Sequence, residues 1–151
     1  MLFLRKNKFL AVIFWLLCIA VMYVIFMFSS ATGEESEEVS QNLLSKIVEF
    51  IGNFITHNTL RKLAHFSEFA ALGFCFSGAI HYTFGKKKFY LPLIPSFVYA
   101  VSDEIHQYFV PERACALKDV VIDSAGALLA VGVFTAAICF ITPLKKYKKF
   151  E

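Results

Sequence analysis

The chain has 151 residues, 58% of them hydrophobic and 18% charged, with a mean hydropathy of +0.61 and a formal net charge of +3. That length suits a single domain, 1–151, and that hydropathy excludes an ordinary water-soluble globule. The lysines stand in short runs beside apolar blocks rather than on one basic face, which argues against a nucleic-acid partner.

Four apolar blocks follow one another. Phe9 to Phe28 is 20 residues without a charge. Arg5, Lys6 and Lys8 precede it and Ser29-Ser30-Ala31 follows, the outline of a signal peptide. The run is longer than the 7–15 residues of a signal core, so the reading is an uncleaved helix. Leu63 to Phe84 is polar only toward its ends, Phe89 to Phe109 is charged only near its C-terminal end, and Val120 to Ile141 carries Asp123 near its start. About 20 residues cross a hydrocarbon core as a helix, and backbone in lipid must satisfy its own hydrogen bonds. The expected fold is therefore an all-α membrane protein with four transmembrane helices, at about 9–28, 63–84, 89–109 and 120–141.

Charge sets the expected orientation. Arg5, Lys6, Lys8, Lys86, Lys87, Lys88, Lys145, Lys146, Lys148 and Lys149 share one side if the helices alternate, against Lys46, Arg61, Lys62, Arg113 and Lys118 on the other. The positive-inside rule then puts both termini in the cytoplasm.

The connector at 29–62 would lie outside. It opens on Ser29 to Gly33 and an acidic run, Glu34, Glu35, Glu37 and Glu38. Val39, Leu43, Ile47, Phe50, Ile51 and Phe54 then fall at helical spacing, which suggests an amphipathic helix on the membrane surface, a cover over the bundle more readily than a lid. Cys18, Cys75, Cys115 and Cys139 form no metal spacing and read as small hydrophobes. Pro92 and Pro95 are placed to tilt the third helix.

Ionisable residues gather at one end of the last three helices. On the second, Arg61, His65 and Glu68 step by four and three and share a face with Leu72, with Lys62 beside it. The third ends in Asp103-Glu104-Ile105-His106-Gln107, where Asp103 and Gln107 are one turn apart. Arg113 sits in the short loop that follows, and Asp119 and Asp123 open the fourth helix one turn apart. Acidic groups suit a helix N-terminus, and Gly126, Ala127 and Ala130 permit close helix packing. Arg61, Lys62 and Arg113 face five carboxylates in this set, an excess that favours shared protons, a cation or a cationic ligand group.

Structural roles stand beside each functional one. Asp119 could simply cap its helix, Glu68 could pair with Arg61 or Lys62, and His65 could donate to a carboxylate of the third helix. His65, Glu68, Asp103 and His106 are metal-ligand types, but the pattern H-E-x-x-H is absent and no metal or cofactor is specified. Ser67 and Ser102 adjoin site residues yet point elsewhere on their helices, so nucleophilic catalysis has little support.

Two segments resemble signatures of one family. Arg61 to Gly73, reading RKLAHFSEFAALG, and Asp103 to Arg113, reading DEIHQYFVPER, followed by Asp119-Val120 and Gly126, are similar to the paired motifs of VanZ-like membrane proteins. Phe28 to Ser36 resembles that family's outer loop, so the resemblance spans about Phe28 to Gly132. It implies a bacterial cell-membrane protein from a family named for resistance to teicoplanin, a lipoglycopeptide antibiotic, with no settled reaction. It would carry over Arg61, Lys62, His65, Glu68, Asp103, Glu104, Gln107, Arg113 and Asp119. The chain departs at Asp123, where the family often has Asn, and at Glu112, where Gly is common.

Three functions follow as expectations. The first is a polar site at the outer leaflet that affects how the cell envelope meets lipoglycopeptides, with Arg61, Lys62 and Arg113 for phosphate or carboxylate and Gln107, Asp119 and Asp123 completing the binding set. The second is a membrane enzyme acting on an outer-leaflet lipid or cell-wall precursor, with His65, Glu68, Asp103 and Glu104 as acid/base candidates. The third is a structural or partner-binding membrane protein whose polar cluster only ties helices together.

Overall fold

The structure, a computed structural model, describes residues 7–39, 41–42, 56–85, 89–113 and 116–141. Four long helices carry it: α1 Lys8–Ser29, α2 His57–Phe84, α3 Leu93–Tyr108 and α4 Leu117–Ile141. Residues 33–39 form a further short helix, and no strand occurs among the described residues. The predicted amphipathic face from Leu43 to Phe54, the lysines of the turn at 86–88, Arg5, Lys6, the C-terminal lysines and Cys115 lie outside the described residues.

Local chemistry sets the helix starts. Asn7 Oδ1 caps α1 by accepting from the N–H groups of Phe9 and Leu10, at 3.2 and 3.3 Å. Thr56 Oγ1 accepts from Thr59 N–H at 3.3 Å and starts α2 six residues before the apolar block that predicted it. The connector is shorter than expected for that reason.

Among the described residues, three helices, α1, α2 and α4, are long and apolar enough to cross a bilayer. The third apolar block behaves differently. Phe89 to Pro92 is turn, and the helix proper is the 16 residues from Leu93. At 1.5 Å per residue it is about 24 Å long, short of a hydrocarbon core of about 30 Å. Its prolines sit at the cap and in the first turn, where a missing N–H costs nothing, so they start the helix rather than bend its middle.

Helix α2 is the central strut, packed against α1 on one side and α4 on the other. Cys18 and Ile25 of α1, Phe69, Leu72, Cys75, Phe76 and Ala79 of α2, Ala100 of α3 and Val120 of α4 form the core. Cys18 and Cys75 are buried as expected, whereas Cys139 is exposed. Two polar contacts fix α1 as part of the bundle: Trp15 Nε1–H donates to Thr83 Oγ1 at 3.1 Å, and Tyr99 O–H donates to the Met22 carbonyl at 2.6 Å. Outward from the core, α1 and α4 expose Phe9, Leu16, Ile19, Leu128, Val133 and Phe140. Apolar area on that scale suits lipid rather than water.

The α2–α4 contact depends on absent side chains. A Cβ on Gly73 would stand 2.8 Å from both Cα and O of Ala127. A Cβ on Gly126 would collide with the Phe66 carbonyl. The backbones approach so closely that this pair of glycines sets the spacing of the helices that carry His65 and Asp123.

Candidate functional site

The polar residues expected at one end of the bundle do converge there, around the last turns of α3. Asp103 is 4% exposed, Glu104 2% and Gln107 6%. Gln107 Nε2 donates to Asp103 Oδ2 at 2.9 Å, the bond their one-turn spacing predicts, and to Ser29 Oγ at 3.2 Å. Ser29 O–H in turn donates to Asp103 Oδ2 at 3.0 Å. Ser29 is fully buried at the end of α1, so α1 joins a cluster that the sequence assigned to three helices only.

Arg113 braces the loop after α3. Its Nε donates to the Ala31 carbonyl at 3.1 Å, Nη2 to the Phe28 carbonyl at 3.0 Å and Nη1 to Gln107 Oε1 at 3.4 Å. Burial pushes its guanidinium below the ordinary value, Arg61 adds to that, and Asp103, Glu104 and Glu68 oppose it. An arginine nevertheless stays charged. These donors tie the loop to the end of α1.

A second strap crosses beside it. Thr32 N–H donates to Glu35 Oε2 at 3.0 Å and Glu35 N–H to Thr32 Oγ1 at 3.2 Å, a capping box that starts the helix at 33–39. Its signal, Thr32 followed three residues later by Glu35, stands in the sequence but the acidic run conceals it. Gly33 N–H donates to the Pro111 carbonyl at 3.3 Å, and Glu34 N–H to Glu112 Oε2 at 3.2 Å. Glu112, the residue standing where the family often has Gly, adopts the left-handed conformation with φ 61°.

The remaining acids sit deeper. His65 Nδ1 lies 3.5 Å from Glu68 Oε2, so Glu68 pairs with His65 rather than with Arg61 or Lys62 among the described residues. Asp123 is 2% exposed. One ligand-type atom each from His65, Asp103 and Asp123 lies within 4.8 Å of the others. His65 Nδ1, Glu68 Oε2, Glu104 Oε2 and Asp123 Oδ1 are buried without a hydrogen-bond partner among the described residues. Glu104 uses its other oxygen, Oε1, to accept from Ala116 N–H just ahead of α4. That carboxylate does the work expected of Asp119, which lies inside the first turn of a helix starting at Leu117 rather than at its cap.

Two expected neighbours stand apart. His106 meets Ser30 Oγ at 3.1 Å and lies against the Phe26 ring, with centroids 4.8 Å apart, and does not join the cluster of His65, Asp103 and Asp123. Lys62 is exposed. Ser67 and Ser102 donate back to the Leu63 and Tyr99 carbonyls of their own helices.

A small cavity of about 10 Å³ is lined by Arg61, Lys62, His65, Glu104, Gln107, Asp119 and Asp123, with Asp103 not among its lining residues. That is room for about one water-sized sphere. An open recess of about 340 Å³, lined by Gly33, Glu34, Ser36, Glu37, Asn58, Arg61 and Glu112, shares Arg61 with it. The arrangement can hold a polar group in the recess and a proton or small ion beneath it.

No curated protein and no solved structure is significantly similar to the chain. The family model described as VanZ/LLP1 matches residues 14–140, which include both motif segments, the end of α1 and the strap between them. With most of its length so matched, the chain belongs to the VanZ/LLP1 family.

Proposed function

We propose that this chain is a multi-pass protein of the bacterial cell membrane that binds a polar headgroup at the outer leaflet and thereby changes how lipoglycopeptides such as teicoplanin meet the envelope. The observation that carries this reading is the recess of about 340 Å³ joined through Arg61 to a buried cluster of carboxylates. Its volume lies in the range of small-ligand sites. Arg61 lines the recess and Lys62 the small cavity beside it, and both suit a phosphate or carboxylate, while Arg113 holds the loop and Glu34, Glu37 and Glu112 suit an ammonium. The four-span arrangement with both termini cytoplasmic, which places the cluster outside, rests on the distribution of lysine and arginine.

The test is lipoglycopeptide susceptibility of bacteria expressing the wild-type chain or Arg61→Ala, Glu68→Gln and Asp103→Asn at equal level. The wild type should raise the inhibitory concentration and each variant should lose most of that rise. Three variants indistinguishable from wild type would remove the site from the function.

The Glu68–His65 contact at 3.5 Å and the Asp123 Oδ1 without a hydrogen-bond partner among the described residues favour a second reading, a membrane enzyme with these acids as proton donor and acceptor toward an outer-leaflet lipid or cell-wall precursor. It predicts a changed lipid or precursor profile by mass spectrometry on deletion, and an unchanged profile counts against it.

A further inference from the structure

We propose that His65, Asp103 and Asp123 form a binding site for one divalent cation of the zinc or manganese kind. Three observations converge. The three residues come from three helices, and their ligand-type atoms lie within 4.8 Å of one another. The centre of such a triangle is at most about 2.8 Å from each atom, no more than about 0.8 Å beyond bond length for zinc bound by nitrogen and oxygen. Small side-chain movements close that gap.

The second observation is unmet bonding capacity. Asp123 is 98% buried, being 2% exposed, and its Oδ1 has no hydrogen-bond partner among the described residues. Glu104 is buried to the same degree, its Oε2 likewise has none, and both residues line the cavity of about 10 Å³. A buried carboxylate oxygen without a partner costs several kcal/mol in general, so groups of this kind are usually protonated or bound to a cation. The cavity is the size of one small sphere.

The third is charge. Glu104, Asp119 and Asp123 line that one small cavity, and a carboxylate oxygen of Asp103 lies within 4.8 Å of one of Asp123. Arg113 spends its donors on two backbone carbonyls and the Gln107 amide oxygen, and Arg61 and Lys62 are the cations that line the same small cavity. Ser29 and Gln107 fix the Asp103 carboxylate through Oδ2, and Glu68 stands 3.5 Å from His65 Nδ1, where it orients the ring. Outer partners of this kind are what hold a ligand set in shape. One imidazole with carboxylates suits zinc or manganese, whereas calcium seeks six to eight oxygens and magnesium keeps much of its water. The inference deepens the headgroup reading and rests on it only for the cluster's setting in the bundle.

The experiment uses the full chain in detergent, stripped with a chelator, then equilibrated separately with Zn²⁺, Mn²⁺, Mg²⁺ or Ca²⁺ in the absence of lipid and drug. Bound metal is counted by elemental analysis and affinity is read by titration calorimetry. The wild type should take up one ion per chain and unfold at a higher temperature with it. Asp123→Asn and His65→Gln should each bind at least about tenfold more weakly, and Asp123→Asn should remain folded because it removes a charge from an unpaired group. Wild-type uptake well below one ion, unchanged affinity in both variants, or preference for Mg²⁺ or Ca²⁺ overturns the assignment. Since neither drug nor lipid enters this measurement, a positive result with unchanged susceptibility would fail the headgroup reading alone.

Discussion

At the residue scale, the end of the bundle is held by a side-chain network of Ser29, Asp103 and Gln107 and by side chains that serve backbone groups. Arg113 binds carbonyls, Glu104 binds an N–H ahead of α4, and Glu112 binds an N–H of the short helix. Glu112 does this from a left-handed backbone, a conformation costing a residue with a Cβ roughly 1–2 kcal/mol. Glu112→Gly relieves that cost while losing the bond to Glu34, worth about 1 kcal/mol. Glu112→Ala loses the bond and keeps the cost. Thermal unfolding in detergent should therefore place Glu112→Gly near wild type and Glu112→Ala below it by about 1 kcal/mol. The Asp103–Gln107 bond was legible from a one-turn spacing, because a helix places such residues on one face. Ser29 was not legible: a serine at the end of an apolar run carries no mark of what a later helix will bring to it.

At the element scale, helix starts depart from the edges of apolar blocks: Thr56 caps α2, whereas α3 starts at Pro92 with no side-chain cap. Thr56 extended α2 backward beyond its apolar block, while Phe89 to Pro92 shortened α3. Hydropathy locates lipid-facing surface, whereas hydrogen bonding to the first free N–H groups decides where a helix begins. The glycines on the α2–α4 seam behave in the same way, through geometry that composition does not show. Gly126→Ala and Gly73→Ala should each destabilise by about 1–3 kcal/mol through overpacking. Gly132→Ala, where an added Cβ meets nothing within 4 Å, should be neutral or stabilising by up to about 1 kcal/mol. Thermal unfolding of the three variants checks the ordering, and a Gly126→Ala protein as stable as wild type would show that the seam can spread.

At the scale of the whole molecule, α3 decides the topology. Helices α1, α2 and α4 suffice for three crossings, and α3 is short. Four crossings return the chain to the side where it began, and three do not. Reporter fusions placed before α1 and after α4 should both read cytoplasmic, as the lysines of the two ends and of the turn at 86–88 require. Opposite readings would mean that α3 does not traverse the bilayer and that the polar cluster is reached from another side.

The helical class, the apolar surfaces of α1 and α4 and the two polar motifs were fixed by the order of residues alone, since lipid exposure and helical spacing are local consequences of composition and period. Which of the clustered residues touch was decided only by the tertiary structure. It brought Asp123 to His65 and Asp103, turned His106 away toward Phe26, and added Ser29 from the first helix. Those outcomes depend on how far glycine lets α2 and α4 approach and on where caps begin each helix. Both set the relative rotation of helices, and spacing along one helix cannot specify its rotation against another.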